Sequence, residues 1–138
     1  MTERKIYITE YDKKRLEAYI DYAEQFGLYN RKDILALEDE LEQAEIVLPE
    51  DVPSDVVTMN SKVIVCDLNT SEEKTYALVF PKDADINAGA LSVLAPVGIA
   101  LLGSTRGDVI EWQVGHAKRR LKIKEVLYQP EAEGDYNL

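Results

Sequence analysis

Gly98 and Gly103 are separated by four residues, the spacing at which a glycine loop wraps the phosphates of a nucleotide. That chemistry also needs a Lys and then a Ser or Thr directly after the second glycine, because the amine must reach the phosphates and the hydroxyl must hold magnesium. Ser104 and Thr105 follow Gly103 with no Lys, and Ile99, Ala100, Leu101 and Leu102 fill the stretch that should wrap the anion. The pattern fits a short apolar helix over 96–102, opened by Pro96 and capped by Gly103, with a turn at Gly107-Asp108 leading into a strand.

The other reactive residue types are sparse. His116, the single histidine, sits in the turn-like "VGHAK", where no Ser or Cys stands beside it with a third group to orient the ring. Cys66 is the single cysteine, so it forms no intramolecular disulfide and completes no Cys/His zinc set. Its parity is that expected of a small buried strand residue. The run "KRRLKIK" at 118–124 reads as the wet face of a strand with Leu121 and Ile123 turned inward, or else as a contact surface for an acidic partner. Glu38, Glu42 and Glu45 share one helical face, expected to be solvated. No catalytic residue, metal site or cofactor site emerges, and no small-molecule substrate is implied.

The charge balance narrows the partners. With 16 Lys+Arg against 26 Asp+Glu the net charge is −10, which disfavours general nucleic-acid binding, where basic side chains replace phosphate counterions. A protein partner with a basic surface fits better. No charged-then-apolar leader is seen, and no apolar stretch approaches the roughly 20 residues of a membrane span. The expectation is a cytoplasmic chain with no membrane contact.

Two kinds of periodicity organise the rest. After the alternating Ile6-Tyr7-Ile8, Thr9 with Asp12 opens a helix as a capping pair. Leu16, Tyr19, Ile20, Ala23 and Phe26 then recur at spacings of three and four up to a cap at Gly27. Asn30 with Asp33 opens a second helix through Ile34, Leu37, Leu41, Ala44 and Leu48, which Pro49 stops, while Tyr29 staples onto Ile34. The short connection over 27–30 folds the helices into an antiparallel hairpin, with Leu16 opposite Leu41, Ile20 opposite Leu37 and Ala23 opposite Ile34. That register also brings Lys13, Lys14 and Arg15 near Glu42 and Glu45, and Asp21 and Glu24 near Arg31 and Lys32.

The polar "PEDVPSD" at 49–55 reads as a linker. Beyond it the period is two. Ile64, Cys66 and Leu68 alternate with Val63, Val65 and Asp67; Tyr76, Leu78 and Phe80 form a second strand; Ile110, Trp112 and Val114 a third; Leu121 and Ile123 a fourth. The expected organisation is α+β: a hairpin over 1–48, a linker over 49–55, and a small antiparallel sheet with one short helix over 56–138.

The run "SVLAPVGIALLGSTRGDVIEW" resembles the C-terminal signature of the Gre transcript-cleavage factors, in which a Pro, an Ala-Leu-Leu-Gly stretch and a later Gly-Asp recur in this order. "DVVTMNSKV" at 55–63 and "YQPEAEGDYNL" at 128–138 are similar to the Rnk group, the Gre-related regulators of nucleoside diphosphate kinase. The resemblance implies an FKBP-like C-terminal domain, an N-terminal antiparallel coiled coil, and docking on RNA polymerase near its secondary channel, with DNA met only through the transcription complex.

In the Gre factors, acidic residues at the coiled-coil tip help hold a metal in the polymerase active site and so stimulate RNA cleavage. The tip here reads Gly27, Leu28, Tyr29, Asn30, which offers few oxygens to a metal. Two helices of about 17 residues give a rod of about 25 Å, short of the cleavage factors' reach. Where the Gre factors place an Asp-Ser-Pro against polymerase, this chain has Leu94, Ala95 and Pro96, so an apolar patch of Leu94, Ala95, Pro96 and Val97 is the expected docking surface. The function implied is a non-catalytic elongation regulator that competes with cleavage factors. The rivals are a prolyl isomerase, for which Tyr76, Phe80, Trp112, Tyr128 and Tyr136 are the available aromatics, and a direct regulator of a metabolic kinase.

Overall fold

The computed structural model describes residues 6–27, 31–114 and 116–135. A strand β1 (Tyr7–Thr9) leads into helix α1 (Glu10–Phe26), and helix α2 (Arg31–Gln43) is followed by β2 (Glu45–Val47). Thr9 caps α1, its hydroxyl accepting the Asp12 N–H at 3.2 Å, and Gly27 closes it at φ 60°, donating its N–H to the Ala23 carbonyl. Leu16, Ile20 and Ala23 of α1 and Ile34, Leu37 and Leu41 of α2 are all buried in one core, as their spacing predicts. Each Leu or Ile among them contributes about 1.5–3 kcal/mol by leaving water.

The second helix is shorter than its periodicity predicts. It ends at Gln43, and the segment expected to carry it on to Leu48 is instead β2, running parallel to β1 with Tyr7 opposite Glu45 and Thr9 opposite Val47. The Ala44 N–H turns back to the Leu41 carbonyl, and the Glu45 N–H goes to the Ile6 carbonyl. A tertiary strand contact has won over helical continuation, and Leu48 is left 61% exposed. The 13 residues of α2 give a rod of about 20 Å. Across the hairpin Glu24 meets Glu38, while Lys14 and Arg15 pair along their own helix with Glu10 and Asp12.

The second half is a five-stranded sheet in the order β5-β4-β3-β7-β6, built from β3 (Lys62–Asp67), β4 (Glu73–Val79), β5 (Ala90–Ser92), β6 (Val109–Val114) and β7 (Ala117–Tyr128). The expectation of a purely antiparallel sheet is corrected by β5, which runs parallel to β4 with Leu91 opposite Leu78. Strand β7 is long enough to pair with β3 on one side and β6 on the other, and two bulges break its register against β3. Val63 and Val65 are buried while Ile64 and Cys66 are half-buried, so the inward set of β3 is the opposite of the expected one. Both sets are apolar, and the cross-strand partner Ile123 opposite Val65 decides between them.

Helix α3 (Pro96–Leu101) lies where the sequence places it. Gly98 is needed for its packing, since a Cβ there would lie 2.1 Å from the Ser92 carbonyl oxygen. Gly103, at φ 79°, meets Ile6, whose Cγ2 would be 2.0 Å from an added Cβ. These glycines bring elements together, and Gly98 sits within a helix instead of an anion loop. The core is continuous through Leu16, Leu37, Phe80, Leu94, Leu101 and Ile123, and Tyr19 stacks on Phe80 at 5.2 Å. The "PEDVPSD" stretch is tied down: Pro49–Asp51 forms a single 3₁₀ turn, Val52 is buried, and the Pro53 carbonyl accepts from Gln129.

Candidate functional site

The expected docking patch divides on inspection. Leu94 is 2% exposed and belongs to the core, whereas Ala95 and Val97 are half-buried. The Leu94 N–H donates to the Ser92 hydroxyl at 3.1 Å and the Ala95 N–H to the Ser92 carbonyl at 3.1 Å, so the chain enters α3 with Leu94 turned under the sheet. A charged substitution at Leu94 therefore tests folding, not docking. Pro96 holds the first position of α3.

Val97 lines a groove of about 150 Å³ with Val65, Tyr76, Leu91 and Leu121 at its apolar base. Asp67, Glu72, Lys74 and Arg119 also line it. The Arg119 guanidinium donates to Asp67 at 2.9 Å. This ion pair is half-exposed, and such pairs contribute about 0–1 kcal/mol, so its value lies in placing charge beside an apolar recess. Sequence reasoning singled out Val97 for docking, Tyr76 as an aromatic, and Arg119 and Leu121 in the basic run, and did not bring them together. Asp67 and Arg119 are 52 positions apart, and only the register of β3 against β7, Asp67 opposite Leu121, brings them together.

The groove is a poor cradle for a prolyl peptide. Of the expected aromatics whose side chains are described, Tyr76 alone lines it; Phe80 is buried under Tyr19, Tyr128 donates its hydroxyl to Asp135, and the Trp112 side chain lies outside the described ones. Tyr136 lies outside the described residues. At the tip, Gly27 is the described member, and Leu28, Tyr29 and Asn30 lie outside the described residues.

A larger recess of about 570 Å³ opens on one flank of the hairpin, lined by Glu17, Asp21, Glu24, Glu38 and Glu42 with Ile20 and Leu41 beneath. The hydrogen bond with Glu24 pushes the Glu38 carboxyl above its usual range, aided by burial and by the charges of Glu24, Asp21 and Glu42. Among the described residues no set of three His, Cys, Asp or Glu is arranged to hold a metal ion. The basic run is the wet face of a strand: Leu121 and Ile123 are buried, while Lys118, Arg119 and Lys124 pair with Glu111, Asp67 and Glu73. Cys66 and His116 sit apart from the groove, His116 on the exposed β6–β7 turn. No described helix is long and apolar enough to cross a membrane.

Comparison with known proteins follows the division into hairpin and sheet. Residues 51–128 match the family model described as "Transcription elongation factor, GreA/GreB, C-term", and residues 4–47 match "Rnk N-terminus". The chain is 40% identical over 139 residues to the regulator of nucleoside diphosphate kinase of Escherichia coli K12, covering all of both chains. It is 35% identical to the transcription elongation factor GreA of Acetivibrio thermocellus, over 86% of this chain and 69% of that one. A solved GreA/GreB-type elongation factor from Nitrosomonas europaea superposes with a TM-score of 0.76 at 42% identity, over 91% of this chain and all of that one. The chain thus belongs to the GreA/GreB transcription elongation factor family and, within it, to the Rnk group.

Proposed function

We propose that this chain is a non-catalytic transcription regulator that binds RNA polymerase near its secondary channel and competes there with cleavage factors. Polymerase would be met by the groove of Val65, Tyr76, Leu91, Val97 and Leu121, with the Asp67–Arg119 pair beside it. This is the docking patch expected at 94–97, moved off the buried Leu94. The FKBP-like and coiled-coil descriptions of the two halves belong to the same reading.

The observation that carries the proposal is reach. Helices of 17 and 13 residues extend about 20–25 Å, enough to obstruct a channel mouth and too short to carry carboxylates to chemistry deep inside it. The test is transcript cleavage in arrested elongation complexes. The purified protein is expected to leave the cleavage rate at its intrinsic level and to suppress stimulation by an added GreA-type factor; strong stimulation by this chain alone overturns the reading.

A second expectation concerns the groove. Val97→Ala, at a half-buried groove position that also packs against the core, is expected to weaken polymerase association about tenfold or more, the scale of losing a buried apolar contact at an interface, with the folded circular-dichroism spectrum retained. Equal retention of wild type and variant on immobilised polymerase removes the groove from the interface.

The name of the Escherichia coli relative favours a second reading, direct action on a nucleoside diphosphate kinase. Parallel binding measurements with purified polymerase and purified kinase separate the two.

A further inference from the structure

The charged residues at the rim of the groove differ in how far their hydrogen-bonding capacity is taken up. Asp67 is committed. Its Oδ1 accepts the Asn69 N–H at 2.7 Å and the Thr70 N–H at 3.3 Å, which fixes the turn between β3 and β4, and its Oδ2 accepts from Arg119 Nη2 at 2.9 Å. The same turn is held by the Thr70 hydroxyl, which accepts the Glu72 N–H at 3.2 Å, and by the Asp67 N–H, which donates to the Glu72 carbonyl at 2.8 Å. The Asp67 side chain is 13% exposed and that of Arg119 43%. Asp67 is therefore a mount, and Arg119 is the group it presents.

A guanidinium carries five N–H donors in a planar fork that matches a carboxylate. Among the described residues Asp67 is the side-chain partner of Arg119, so most of that fork stays open. Lys74, exposed at the same rim, has no side-chain ion pair among the described residues. Glu72 is the rim acid left uncommitted, against two cations. Below them Val65, Tyr76, Leu91, Val97 and Leu121 surround a recess of about 150 Å³, room for one benzene-sized group.

We propose that the groove reads a carboxylate set beside a bulky apolar side chain on its protein partner, with Arg119 as the recognising group and Asp67 as the residue that positions it. This rests on the groove being the docking surface for polymerase proposed above. The apolar side chain enters the recess, the carboxylate meets the open donors of Arg119, and Lys74 adds positive charge from β4. An exposed ion pair by itself adds little. The filled recess excludes water from the pair and makes it count. A nucleic-acid backbone brings the negative charge without the apolar group beside it, and fits this site less well.

Two measurements on the full chain test this. In the first, the affinity for purified RNA polymerase is compared across variants that keep the folded circular-dichroism spectrum. Arg119→Gln is expected to weaken binding about tenfold or more, and Arg119→Lys, which keeps the charge and loses the fork, to recover part of that loss. Asp67→Asn keeps an oxygen for the turn amides; it is expected to weaken binding about threefold or more by itself and to add nothing on top of Arg119→Gln. A merely structural Asp67 gives losses that add. In the second, nuclear magnetic resonance follows the Arg119 Nε–H and the Val97 amide as acetyl-Leu-Asp-amide or its neutral counterpart acetyl-Leu-Asn-amide is added. The acidic peptide is expected to shift both signals and the neutral one to leave them in place. Unchanged polymerase affinity in Arg119→Gln overturns the proposal, as does an equal response to the two peptides or a stronger response to a single-stranded oligonucleotide. A groove that takes the acidic peptide in a chain that fails to bind polymerase upholds the carboxylate site and overturns the polymerase reading instead.

Discussion

Replacing Gly98 by alanine is expected to destabilise the protein by about 3 kcal/mol or more, on the order of 10 °C in melting temperature. Intrinsic helix propensity points the other way, since alanine is favoured over glycine inside a helix by about 1 kcal/mol. Packing decides the sign. The new Cβ would sit 2.1 Å from the Ser92 carbonyl oxygen and 3.0 Å from the Val93 Cα, both main-chain atoms with no rotamer to give way. That carbonyl already accepts the Ala95 N–H at the entry to α3. Relief requires α3 to lift off the sheet or β5 to part from β4, and either loosens the buried Leu91 and Leu101. Thermal unfolding followed by circular dichroism reads the result; an unchanged or raised midpoint refutes the close approach.

The second large effect is set by protons. Burial drives the Asp12 carboxyl upward against the favourable pull of Arg15, with Glu131 adding to the rise, so it ionises at about 6 in the folded chain instead of 3.8. The folded state therefore holds this proton more tightly than the unfolded one. The stability linked to it is fully present below about pH 4 and is lost as pH rises through about 6, to a limit of about 3 kcal/mol. Asp12→Asn keeps a carbonyl for Arg15 and has nothing to titrate. Its stability relative to wild type is expected to improve steadily from about pH 4 to about pH 7, and urea unfolding at matched pH values measures the difference. A difference that stays flat over that interval shows an ordinary carboxyl at position 12.

What the sequence discloses follows from where the information is local. The α1 seam, the Gly27 cap, the α3 helix and the inward Leu121 and Ile123 of β7 were all legible, because each rests on spacing within one element. The errors lie where a distant strand decides. Ala44 and Leu48 continue a helical period, but the free edge of β1 captures residues 45–47. Val63 and Val65 are as apolar as Ile64 and Cys66, so hydropathy cannot say which pair faces in. β5 is three residues long and carries no alternation worth reading, yet it makes the sheet mixed. The candidate groove shows the same division: Val97 was found through the signature around α3, while Asp67 and Arg119 meet only through strand register. Leu94 was assigned to the surface because it stands where the Gre factors carry their docking Asp, and the turn into α3 buries it.

The pairing of residues 7–9 with 45–47 closes the two-helix segment at its root by stapling its ends together. Equal insertions of seven residues in the turns of α1 and α2 next to the tip preserve an apolar seam that repeats about every 3.5 residues and leave the root and the groove where they are. Arm length is in this sense a free parameter of the architecture, able to change by about 10 Å per inserted heptad while the sheet that carries the groove stays the same.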